Sequence, residues 1–243
     1  MPLGPGDLAR RYTELLGRVR AAEQAAGRPI GSTQLMAVSK GVDAERVAAA
    51  IDAGCRLFGE NRVQELEAKR AAVAGLRPAV ACTWVMIGPL QSNKVRRAVA
   101  VADRIATVGS IDLLQRIVTI STDEGRRVEV ALQVNVDDDP AKSGFAPAAL
   151  QTAIPTIEAL VRGTSVTIGG LFTVGRLTAG GEAARPTFAH FRTVAAELDE
   201  AARRCGLTLG PLRSAGMSGD FEVAIGEGSN EVRLGSALFG PRG

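Results

Sequence analysis

The sequence predicts an α/β fold: a single-domain (β/α)8 barrel of the TIM type with an extra N-terminal helix. Three observations predict it. Short apolar runs alternate with amphipathic helical segments along the chain, the pattern of a parallel sheet covered by helices. Eight such runs can be counted. The chain has 243 residues, and α/β barrels of about 250 residues close as one unit. A doubly wound open sheet is the alternative, but no G-x-G-x-x-G follows the first strand. No linker and no low-complexity segment divides the chain, so residues 1–243 read as one domain.

Each element follows from local signals. A first helix over residues 7–26 carries Leu8, Tyr12, Leu15, Leu16 and Val19 on one stripe. That stripe can pack on its own barrel or on a partner. The first strand, 34–39, is short, apolar and followed by Gly41. Asp43 is the expected N-cap of the next helix, and Gly54 ends it. Strand two, 56–59, is brief, and a helix over 62–74 follows. Strand three is 83–87, with a helix at 92–101. Strand four is 104–108, with a helix at 111–122. Strand five spans 128–136, and an Asp-, Pro- and Gly-rich loop leads to a helix at 147–161. Strand six is 166–174, followed by a loop at 175–184 and a long helix at 186–205. Strand seven is expected near 212–215, with a short helix around 219–225. Strand eight is 231–234.

Composition narrows the function. Hydrophobic residues make up 46% of the chain, enough for a sizeable core, and the net charge is only +3. Acids and bases are interleaved, and one Trp, one Tyr and seven Phe offer little surface for stacking bases. A nucleic-acid role is therefore unsupported. Cys55, Cys82 and Cys205 are scattered without metal-ligand spacing, and the single histidine, His190, rules out a histidine-rich metal site. The amino terminus lacks the apolar core of a signal peptide, and no apolar stretch would span a bilayer. A cytoplasmic protein with no membrane and no nucleic-acid partner is expected.

In a barrel, the residues at the carboxyl ends of the strands build the active site. Lys40 ends strand one. A lysine at the end of a buried strand is costly unless it serves a purpose or has a partner, although many strand-end lysines simply extend their charge into water. A partly desolvated amine loses its proton more easily, and the neutral amine can form a Schiff base with an aldehyde. Glu60 and Asn61 end strand two, Gly88 follows strand three and Asn135 lies near the end of strand five. Gly216-Met217-Ser218-Gly219-Asp220 follows strand seven, and Gly235-Ser236 follows strand eight. Each Gly-Ser pair alone could be an ordinary turn. Together they occupy the two positions where barrels commonly bind phosphate, with backbone N–H groups and the Ser218 and Ser236 hydroxyls as donors. A phosphate site beside an amine points to a phosphate-bearing aldehyde, of which pyridoxal 5′-phosphate is the common cofactor. Arg233 lies two residues before Gly235, so both face the same side of the strand. It could reach the cofactor's ring nitrogen, or be a salt-bridged arginine of the barrel interior. An arginine there would leave that nitrogen unprotonated and weaken stabilisation of a carbanion.

The motifs also resemble a known family. They are Ala37-Val38-Ser39-Lys40, Phe58-Gly59-Glu60-Asn61, Ile87-Gly88-Pro89-Leu90-Gln91-Ser92-Asn93-Lys94 and Gln133-Val134-Asn135-Val136. They continue with Lys142-Ser143-Gly144-Phe145, Gly216-Met217-Ser218-Gly219-Asp220 and Val232-Arg233-Leu234-Gly235-Ser236. In this order they resemble the pyridoxal phosphate homeostasis proteins, over about residues 34–240. The resemblance implies a barrel like the N-terminal domain of alanine racemase. It implies the cofactor on Lys40, its phosphate at the Ser218 and Gly235-Ser236 loops, and Arg233 near the ring nitrogen. Asn61 and Met217 complete the expected cofactor-binding set. It further implies a vitamin B6 carrier or regulator without appreciable turnover. The partners expected are pyridoxal phosphate and the apo-enzymes that depend on it, with monomer and homodimer both open. Two positions depart from the family pattern: Val85, where His is frequent, and Gly41, where Thr is frequent.

The rival is an amino-acid racemase using the same cofactor. That chemistry needs a second base opposite Lys40. The only tyrosine, Tyr12, lies in the first helix, and His190 lies mid-helix, where packing or exposure is the ordinary role. Asp137, Asp138 and Asp139 are adjacent like charges, expected to form a solvated loop.

Overall fold

A computed structural model describes residues 5–175 and 181–241. In chain order its elements begin with α1 (Pro5–Ala25), β1 (Gln34–Val38), α2 (Ala44–Asp52), β2 (Leu57–Glu60), α3 (Val63–Leu76) and β3 (Thr83–Met86). Then come α4 (Val95–Val101), β4 (Arg104–Val108), α5 (Ile111–Asp123), β5 (Val128–Gln133), α6 (Pro147–Val161) and β6 (Val166–Phe172). The last are α7 (Arg185–Cys205), β7 (Leu209–Met217), α8 (Phe221–Gly226), β8 (Glu231–Leu234) and α9 (Ser236–Phe239). The eight strands are all parallel and close on themselves in sequence order, with β8 pairing β1. The expected (β/α)8 barrel with an extra N-terminal helix is the observed fold.

Period-two alternation sorts the strand residues into two layers. Leu35, Ala37, Phe58, Trp84 and Leu234 face outward into the layer between barrel and helices, where Phe58 and Trp84 stack with ring centroids 5.2 Å apart. Met36, Leu57, Val85, Ala106, Ala131 and Phe172 fill the barrel interior. Val85 thus belongs to the apolar plug inside the barrel. Below that plug, Arg104 joins Glu129 and Glu231, with 2.5 Å to the Glu231 carboxylate. The stripe of α1 packs on its own barrel: Leu8, Leu15 and Val19 are buried against the helices around β8 and β1.

Local chemistry sets the ends of the elements. Asp43 caps α2 by accepting from the Arg46 N–H at 2.8 Å. Gly54, at φ +110°, turns the chain after it. Ser110 caps α5 in the same way. The main correction to the sequence reading concerns β7, which spans Leu209–Met217 and not four residues. Gly210 and Pro211 do not interrupt it, because the β6–β7 register shifts between Ile168 and Gly170, where a residue lacking an N–H is tolerated. Strand five ends at Gln133, three residues early, because Asn135 accepts the Asp139 N–H and turns the chain. The four-residue α9 was not anticipated. The expected loop at 175–184 resolves at its end into a 3-10 turn, Gly181–Ala184. Its residues 176–180 lie outside the described residues.

Candidate functional site

A cavity of about 470 Å³ opens at the carboxyl ends of the strands. Lys40, Asn61, Met217, Ser218, Arg233, Gly235 and Ser236 all line it. These seven residues come from four strand ends far apart in sequence and meet in one place. They meet because β7, β8, β1 and β2 are consecutive neighbours in the closed barrel. Alternation along β1 puts Met36, Val38 and Lys40 on the inner side, and Lys40 is half-buried in the cavity wall.

The floor is built by Arg233, 5% exposed. Its guanidinium donates to the Ser214 hydroxyl at 3.0 Å and to the Thr173 carbonyl at 2.7 Å. It lies over the Phe172 ring, 4.3 Å from the centroid. Burial pushes its pKa down to about 10, against the attraction of Glu231 and Asp220, so it is charged at neutral pH.

The rim is built by two loops. After β7, the Met217 N–H donates to Asp220 Oδ1 at 2.6 Å and closes the Gly216–Asp220 turn. Burial lifts the Asp220 carboxyl above its ordinary range, opposed by that hydrogen bond and by Arg233. Gly216 has φ +94°, and a Cβ there would sit 2.7 Å from Ala224 Cβ, so only glycine fits. After β8, Gly235 leads into α9. The two loops are tied together by the Ala237 N–H, which donates to the Ser218 hydroxyl at 3.3 Å. On the other wall, a Cβ on Gly88 would lie 2.1 Å from the Asn61 carbonyl oxygen. This glycine lets the loop after β3 press against Asn61.

Other sequence candidates take different positions. Glu60 turns away from the cavity, in step with outward-facing Phe58, and pairs with Lys69. Asn135 orders the following loop through Asp139. That loop is less solvated than its three acids suggested: Thr187 donates to Asp137 at 2.7 Å, and Lys142 lies 3.7 Å from Asp137 and 3.8 Å from Asp139. Lys142, Ser143 and Gly144 line a second cavity of about 400 Å³, which shares Ile87, Phe172 and Val174 with the first. The Tyr12 hydroxyl donates to the Gly54 carbonyl at 3.3 Å, in the connection feeding the amino end of β2. His190 is exposed on α7. Neither lines the cavity. Among the lining residues that the sequence did not single out are Phe172 and Asp220. The available signal for Asp220 is its place at the end of the Gly216-Met217-Ser218-Gly219-Asp220 motif.

No cluster of His, Cys, Asp and Glu among the described residues is arranged to hold a metal ion. No helix among them is long and apolar enough to cross a membrane.

Comparison with known proteins gives a consistent result. The family model of the N-terminal domain of alanine racemase matches residues 13–243. A pyridoxal phosphate homeostasis protein of Pseudomonas aeruginosa is 37% identical over 238 residues, covering 97% of this chain and 96% of that protein. Among solved structures, PipY of Synechococcus elongatus with PLP bound matches with a TM-score of 0.80 at 37% identity, covering 96% of this chain and all of that one. An alanine racemase of Clostridium difficile, 15% identical, matches with a TM-score of 0.71 and is covered over 56% of its length. That last likeness is one of fold alone.

Proposed function

The chain belongs to the pyridoxal phosphate homeostasis proteins, within the alanine racemase N-terminal domain family, and from that premise we propose that it binds pyridoxal 5′-phosphate as a carrier or buffer of the cofactor in vitamin B6 homeostasis. The observation that carries this reading is the meeting of Lys40, Arg233 and the two serine-bearing loops around one cavity. The residues fit the group. Pyridoxal phosphate supplies an aldehyde carbon that condenses with a primary amine, on a ring that also carries an anionic phosphate.

In this reading Lys40 provides the amine. Ser218, Gly235 and Ser236 hold the phosphate through hydroxyl and backbone donors. Arg233 faces the ring nitrogen as a donor without a proton to give up, and Asn61 and Met217 bound the ring. The whole of residues 1–243 serves as one binding domain. The partners are the cofactor and cytoplasmic apo-enzymes that depend on it.

Turnover is not expected. Racemisation needs a second base facing Lys40, and neither Tyr12 nor His190 lines the cavity. A charged Arg233 at the ring nitrogen also disfavours the carbanion. The purified protein should bind pyridoxal phosphate, and borohydride should fix it on the Lys40 peptide, read by mass spectrometry. In heavy water it should not exchange the α-proton of amino acids at an enzymatic rate. A reduced protein carrying no adduct at Lys40 would sink the binding reading. Rapid exchange that disappears in Lys40→Ala would make it a racemase instead.

A further inference from the structure

Behind the cavity lysine lies a buried polar network that the proposed binding set does not use. Ser39 and Glu60 are fully buried, and Lys69 is 8% exposed. The Ser39 hydroxyl donates to Glu60 Oε1 at 2.6 Å. The Lys69 ammonium donates to the Ser39 carbonyl at 2.7 Å and to the Glu60 carboxylate. One residue beyond Lys40, the Gly41 N–H donates to Glu65 Oε2 at 3.2 Å. Glu65 and Lys69 are four apart on α3, so they share one face of that helix.

The placement of these bonds matters more than their number. The Ser39 carbonyl belongs to the peptide plane that enters Lys40. The Gly41 N–H belongs to the plane that leaves it. Two planes are what define the backbone dihedrals of the residue between them. Holding both planes fixes the direction in which the Lys40 side chain departs. Gly41, at φ +70°, allows the turn this requires. A buried ion pair contributes little net stability compared with apolar residues of the same volume. Geometry is therefore a better account of its presence than stability. Burial lifts the Glu60 carboxyl above its ordinary range, and the Lys69 and Ser39 hydrogen bonds oppose that shift.

We propose that Lys69 is a positioning residue for Lys40: with Glu65 it clamps the two peptide planes flanking Lys40 and aims the amine at the cofactor's aldehyde carbon. This rests on the binding reading above.

The test separates retention of the cofactor from reaction at Lys40. Wild type, Lys69→Met and Glu65→Ala are loaded with pyridoxal phosphate, and bound cofactor is measured by equilibrium dialysis. Condensation of the amine with the aldehyde releases one water, and borohydride then reduces the carbon–nitrogen double bond, so a timed quench counts covalent adduct on Lys40. Methionine keeps the bulk of the lysine stem without its charge. Lys69→Met should still retain cofactor through the phosphate loops, while the rate of covalent fixation per bound cofactor falls about fivefold, the scale of one ordinary hydrogen bond's net contribution. Glu65→Ala should shift the same ratio in the same direction by less. A merely structural role would lower bound and fixed cofactor in equal proportion. An unchanged ratio in the folded variants overturns the proposal, and Glu65→Ala decides alone if Lys69→Met does not fold. Wild type that binds nothing sinks the binding reading and this inference with it. Wild type that fixes cofactor no faster than Lys69→Met sinks only the inference.

Discussion

The guanidinium of Arg233 lies 4.3 Å from the centroid of the Phe172 ring. A cation is thereby stacked on an aromatic face at the bottom of a barrel cavity, with Ser214 and Thr173 taking its hydrogen bonds. Arg233→Met would keep the stem against the ring and remove the charge. Two acceptors would lose their donor, and folding stability should fall by about 1–3 kcal/mol in urea titration without cofactor. The folded pKa lies below the ordinary guanidinium value, so the cost of burying this charge is constant at every pH well below about 10 and is relieved only as pH rises past it. Stability of wild type and variant should therefore differ by the same amount at any pH near neutrality. A difference that varied across the neutral range would contradict this.

Ser218→Ala and Ser236→Ala should each weaken pyridoxal phosphate binding. A hydroxyl donating to a phosphate makes a charge-assisted hydrogen bond worth roughly 1.5–3 kcal/mol. Ser218 should show a second effect, because its oxygen also accepts the Ala237 N–H and links the two loops. Pyridoxal without phosphate should bind much more weakly than the phosphorylated form. Equal affinity for the two would show that the phosphate sits elsewhere.

Cys55 should behave as a masked thiol. It is 1% exposed, and burial pushes its pKa up to about 12. A thiol reagent at mildly alkaline pH should label half-buried Cys82 and Cys205 and reach Cys55 only on unfolding. The folded chain holds this proton longer than the unfolded one. The resulting stability is fully present below the ordinary thiol range, about 8.5, and is lost as pH rises from there through the folded value. Cys55→Ala should flatten the alkaline decline in stability. An equally steep decline would mean that the thiol is not responsible.

The barrel was legible because its strands are short apolar runs at regular spacing, a pattern that few other folds share. The cavity residues were legible for a related reason. Lys40, Ser218 and Ser236 stand just past strand ends, where a barrel places chemistry whatever its detailed packing. Phe172 was not, and the reason is parity. Val166 and Ile168 face outward at even positions, yet so does Leu171 at an odd one. The register shift around Gly170 reverses the count, so alternation read from the strand start points Phe172 the wrong way. The Lys69 clamp was hidden for another reason. It pairs a helix face with the end of a different strand, and no sequence period marks a contact of that kind.

The pairing of β8 with β1 has a consequence for how the protein comes into being. Met36 is registered against Arg233 and Ala37 against Leu234, so the amine and the floor of the cavity belong to opposite ends of the chain. Contacts of such long range carry the largest loop-closure entropy and form slowly. A ribosome-bound chain would display Lys40 early but have nowhere to keep a ligand until its last strand docks. A cofactor held from both sides would then act as a staple across the seam, stabilising the closed barrel by mass action. Loading would report that folding is complete, and a pool of free cofactor would favour the finished molecule over any partly assembled one.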